Sequence, residues 1–106
     1  MADRIAALQK LLARDERDVF LHYSLAMEYF SAGRHDLAAA QFGRCIELDP
    51  NYLAAYVEGA KCHRAAGQLD PAREMFARAL DLAQRLKQTH TEDYIRQQLE
   101  GLAKGP

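Results

Sequence analysis

The side chains able to do chemistry are few, and they do not converge. The histidines His22, His35, His63 and His90 lie far apart in sequence. The two cysteines, Cys45 and Cys62, form neither a CxxC pair nor a disulfide ladder, and without ligand spacing they give no metal site. Ser24 and Ser31 have no base at a recognisable motif spacing. Asp36, Asp49 and Asp70 stand where caps and turn formers belong. Glu47 and Asp81 fall toward helix ends on polar faces. No glycine-rich phosphate loop occurs. The expectation is a protein without catalytic residues, metal or cofactor.

Composition narrows the field further. The chain has 106 residues, 27% of them charged, with a formal net charge of −1. One domain is the prior for that length. No basic stripe marks a nucleic acid or an anionic membrane as partner. No apolar run approaches the roughly 20 residues that cross a bilayer, and the opening MADRIAALQK is mixed in charge, unlike a signal peptide. A cytoplasmic location is the expectation, and both cysteines fit a reducing compartment.

The elements carry more information than the single residues. The hydrophobic fraction is 49%, much of it alanine, which favours helix. Apolar spacing predicts helices over about 3–13, 19–32, 36–48, 53–66, 70–87 and 91–104. Asp3 is the expected N-cap of the first. Gly33 and Gly67 are expected to end the second and fourth. Asp49-Pro50 closes the third, and Asp70-Pro71 should open the fifth as N-cap and first helical residue. Short connections make successive helices antiparallel neighbours.

These helices repeat with a period of 34 residues. Ala26/Ala60, Gly33/Gly67, Asp36/Asp70, Ala38/Ala72, Phe42/Phe76, Arg44/Arg78 and Leu48/Leu82 are identical pairs at that spacing. The pattern resembles the tetratricopeptide repeat, whose signature is W-x2-L-G-x2-Y, then A-x3-F, then P. The first repeat matches at His22, Leu25, Ala26, Tyr29, Gly33, Ala38, Phe42, Cys45 and Pro50. The second matches at Tyr56, Gly59, Ala60, His63, Gly67, Ala72, Phe76 and Ala79. Gly59 replaces the expected leucine, and the second repeat lacks its proline. His22 and His63 take aromatic positions, where a half-buried structural role is expected.

The resemblance implies an all-α, right-handed superhelix of antiparallel helix pairs, with about six helices. One domain would span 1–106: a half-repeat helix over 1–18, repeats over 19–52 and 53–86, and a capping helix over 87–106. It also implies a protein–protein interaction module, an adaptor or assembly factor that binds a peptide segment on its concave face. By family analogy that face carries Phe20, Tyr23, Met27 and Phe30 from the first repeat, and Ala54, Val57, Lys61 and Arg64 from the second. An aromatic and methionine wall beside a basic patch would suit a peptide with apolar and acidic groups. Alternatively, Phe20, Tyr23 and Phe30 pack against the terminal helices. The carboxylate clamp of some family members is not reproduced, since Tyr23, Met27 and Glu58 stand at its positions. The competing reading is a homodimeric structural repeat protein without a peptide ligand.

Overall fold

The computed structural model describes residues 2–104; the extremes of the expected domain, residues 1, 105 and 106, lie outside them. The described residues form six helices and no strand: α1 (Ala2–Arg14), α2 (Val19–Ser31), α3 (His35–Leu48), α4 (Leu53–Ala65), α5 (Leu69–Arg85) and α6 (Thr89–Lys104). None of them is long and apolar enough to cross a membrane. The principal packing is between helices adjacent in sequence, as in a stacked array. The molecule measures 41 × 30 × 19 Å. Its radius of gyration, 14.0 Å, exceeds the ~13 Å of a compact chain of this length, as stacking in one direction requires.

Two apolar clusters hold the stack. Leu12, Leu25, Ala26, Tyr29, Ala38, Phe42, Cys45, Ala55 and Cys62 form the first, across α1 to α4. Tyr56, Val57, Ala60, Ala72, Phe76, Ala79, Leu82, Ala83, Ile95 and Leu102 form the second, across α4 to α6. Helix α4 therefore buries two faces, Ala55 and Cys62 toward one cluster and Tyr56 and Ala60 toward the other. The alanines at 26, 38, 60 and 72 are all fully buried. A larger side chain there would hold the backbones apart.

Gly59 belongs to the same close packing. A methyl group at its Cα would lie 3.5 Å from Phe42 Cβ and 3.9 Å from Met75 Cγ, ordinary contact distances. Alanine therefore fits, and it removes the helix penalty of glycine. Gly59→Ala is expected to stabilise the fold by about 1 kcal/mol. A fall in the thermal midpoint on this substitution would mean that the crossing is tighter than these distances.

Three helix ends share one turn. Gly33 and Gly67 adopt φ of 76° and 78°. Each turn is closed by a pair of backbone bonds: Arg34 N–H to Tyr29 C=O (2.9 Å) with Gly33 N–H to Phe30 C=O (3.0 Å), and Gln68 N–H to His63 C=O (2.9 Å) with Gly67 N–H to Arg64 C=O (3.0 Å). The α5–α6 turn repeats it with Gln88 N–H to Ala83 C=O (2.9 Å) and Lys87 N–H to Gln84 C=O (3.1 Å). There the left-handed position is held by Lys87, at φ 57°. That conformation costs an L-residue about 1 kcal/mol or more. Lys87→Gly should raise stability by about 1 kcal/mol, read as a higher urea midpoint at unchanged slope.

Several expected helix starts are corrected. Asp3 lies inside the first turn of α1 and is not its N-cap. Helix α5 begins at Leu69 with Gln68 as N-cap, so Asp70 and Pro71 sit within its first turn. Asp70 instead pairs with Arg73 at 2.5 Å. Neither Arg34 nor Gln68 makes a side-chain capping bond. The glycine turn immediately before these caps aims the chain directly into the next helix, which fixes the start without one. Asp18, which lies between the helices expected over 3–13 and 19–32, caps α2 by accepting from Leu21 N–H at 3.0 Å. Asp49 forms its expected turn, accepting from Asn51 N–H at 3.0 Å. Helix α6 starts at Thr89, two residues before the expected position.

Candidate partner-binding groove

Helices α2 and α4 line a groove whose ends are closed by α1 and α6. It consists of three adjoining hollows. One of about 520 Å³ is lined by Arg4, Ala7, Leu8, Phe20, Tyr23, Ser24, Met27 and Glu28. A second, about 320 Å³, lies among Met27, Phe30, Ser31, Glu58 and Lys61. The third, about 500 Å³, includes Leu53, Ala54, Val57, Glu58, Leu86, His90 and Tyr94. Met27 borders the first two and Glu58 the last two, so the hollows adjoin one another.

The residues named from sequence divide among these hollows. Phe20 is 66% exposed in the first, an unusual state for a phenylalanine. Tyr23 is half-buried, its ring 5.9 Å from that of Phe42, edge-on, and 5.3 Å from that of Tyr52. It thus serves the core and the groove wall together. Phe30 borders the middle hollow, its ring 5.8 Å from that of His35. Val57 is buried at the base of the third.

The two basic residues differ. Lys61 reaches the middle hollow and pairs with Glu58 at 3.1 Å. Arg64 lines none of the three hollows. Its guanidinium lies 5.5 Å from the Phe76 ring centroid and donates to the Gln98 side-chain oxygen of α6. Residues 64 and 98 are one repeat period apart, so the bond ties matching positions of α4 and α6. Neither terminal helix covers Phe20, although α1 supplies Leu8 as a neighbour and α6 supplies Tyr94 to the third hollow.

Glu28 and Glu58 also belong to the groove; the sequence did not single out Glu28, and it marked Glu58 only as occupying a clamp position. Their side chains are 16% and 18% exposed. Glu28 pairs with Arg4 at 3.3 Å. Burial pushes the Tyr23 hydroxyl pKa above its ordinary value, and the Glu58 charge adds to that rise. The signal in the sequence was adjacency: both glutamates lie beside the positions assigned to the inner face.

The remaining reactive groups are structural. His22 is buried; its Nε2 donates to the Glu16 carbonyl at 2.8 Å and its Nδ1 lies 2.7 Å from the Gln41 side-chain amide. His63 Nδ1 lies 2.7 Å from Gln68 Oε1. Burial pushes the Cys45 thiol up to about 11 and raises Cys62 too. Thiols so protonated are poor nucleophiles. Cys62 donates to the His35 carbonyl at 3.2 Å, and Cys45 faces the Val19 carbonyl at 3.7 Å. Among the described residues no three of His, Cys, Asp or Glu gather as metal ligands would.

Comparison with known proteins places this geometry. A family model described as tetratricopeptide repeat matches residues 29–89. A TPR repeat-containing protein of Pseudomonas aeruginosa is 35% identical over 79 residues, covering 74% of this chain and 75% of its own. Among solved structures, SycD, the type III secretion translocator chaperone of Yersinia enterocolitica, has a TM-score of 0.88 at 19% identity, covering 96% of this chain and 71% of that one. PcrH, solved with the chaperone-binding region of PopD, has a TM-score of 0.89 at 23% identity, covering 96% and 77%. At such identities the likeness is one of fold.

Proposed function

The chain belongs to the tetratricopeptide repeat family, and on that premise we propose that it is a protein–protein interaction module holding a partner segment in the groove along α2 and α4. It acts as an adaptor or assembly factor and needs no reaction of its own. The observation that carries the reading is the row of three adjoining hollows, with Phe20, Met27 and Val57 along them. A surface of methionine and aromatic side chains offers both adaptable and large contact area. Backbone groups of an extended segment stay hydrated at the open side, while its side chains fill the hollows. The likeness to PcrH, and to SycD as solved with a peptide of the translocator YopD, supports this reading, because peptide-bound structures exist on the same fold.

A photo-cross-linking side chain tests it. Placed at Met27 it should join the chain to a specific protein partner. Placed at Ala77, exposed on α5 away from the groove, it should not. Equal capture from both positions would contradict the reading, and capture of a second copy of the chain from Met27 would favour self-association instead.

A further inference from the structure

Resting on the groove as a peptide site, we infer that its ligand is a segment of another protein that sets basic residues among apolar ones, its cations received by Glu28 and Glu58. The argument is the depth of the charges. Glu28 and Glu58 are set into the groove, at 16% and 18% side-chain exposure. Their bases are more open: Arg4 is 75% exposed and Lys61 32%. Each pair is a single contact, at 3.3 Å and 3.1 Å, through Oε1 alone. Open pairs on long side chains are held weakly. Arg4 and Lys61 can therefore swing toward water while the carboxylates stay.

A ligand that covers the groove removes water from both carboxylates. Such groups then need a cation, and an acidic ligand would make the burial still less favourable. Arg64, the cation that sequence position offered to an acidic ligand, is held by Gln98 and Phe76 instead. Burial raises the Tyr23 pKa, and the nearby Glu58 charge adds to that rise. The apolar hollows on either side of Glu58 receive the ligand's apolar side chains, and its cations fall between them. This reverses the charge expected from Lys61 and Arg64 by sequence position.

The test is selection from a random 12-residue displayed peptide library against the folded chain. Selected peptides should combine apolar residues with more Lys and Arg than Asp and Glu. The tightest, synthesised with a fluorophore, should bind about tenfold more weakly to Glu58→Gln, and more tightly to Arg4→Gln, at physiological salt. Circular dichroism controls for folding of each variant. Selected peptides that are acidic or indifferent in charge, or an affinity unchanged by Glu58→Gln, would overturn the inference and leave the groove reading standing. No selected peptide that loses binding to Phe20→Ala/Met27→Ala would overturn both.

Discussion

Phe42→Ala is expected to remove about 3–5 kcal/mol of folding stability. The side chain is 1% exposed, in the cluster shared by α1 to α4. Its Cβ lies against the open Cα of Gly59, and its ring meets that of Tyr23. Truncation removes the aromatic transfer energy and leaves a cavity between α3 and α4 that fully buried neighbours cannot fill. A domain of this size has a total stability of about 5–15 kcal/mol. The midpoint in urea should drop sharply with little change in slope. A stacked array adds a regional signature, since each helix pair depends on its neighbour. Amide exchange should accelerate more in α2 and α3 than in α5, whose packing rests on Phe76 and Leu82. Uniform acceleration would show that the two clusters unfold as one unit.

Phe20→Ala combined with Met27→Ala should weaken partner binding about 100-fold while leaving the fold intact. Phe20 is 66% exposed, and Met27 borders two hollows without belonging to the fully buried core. Met27 is partly buried against the α1–α4 cluster, so its truncation removes some packing, and circular dichroism checks that the variant remains folded. Truncating a central aromatic or methionine anchor costs roughly 1–2 kcal/mol each in binding, and about 2.8 kcal/mol together is a hundredfold in Kd. Tyr23 is unsuitable for this test, because its contacts with Phe42 and Tyr52 would confuse binding with stability. The comparison is the same titration with Glu74→Ala on the exposed face of α5, which should bind as the parent chain does. Equal losses from both variants would argue for an indirect effect.

Much of the fold was legible because a 34-residue period is redundant: each turn and each small-residue contact is written twice. Gly33 and Gly67 marked helix ends that the backbone confirms. The misplaced starts of α5 and α6 have a common cause. Capping residues such as Asp70 are strong local signals, but the preceding turn already commits the next residues to a helix. At the α5–α6 turn, Lys87 in the left-handed position hides the signal altogether.

The groove was partly legible for a different reason. Repeat position names the inner face of α2 and α4, and Phe20, Tyr23, Met27, Phe30, Val57 and Lys61 all border its hollows. It cannot tell how the terminal helices close the ends. Leu8 and Arg4 enter from α1 and Tyr94 from α6, while Gln98 draws Arg64 aside. These are contacts between separate helices, set by packing angles that no local pattern encodes.

The central claim is that a partner segment lies along α2 and α4. Amide chemical-shift mapping of the isotope-labelled chain, titrated with the bound segment of its captured partner, tests it most directly. The account predicts the largest shifts at Tyr23, Met27, Val57 and Lys61, with smaller ones at Leu8 and Tyr94. Shifts concentrated instead at Glu74, Ala77, Arg78 and Asp81 would contradict it.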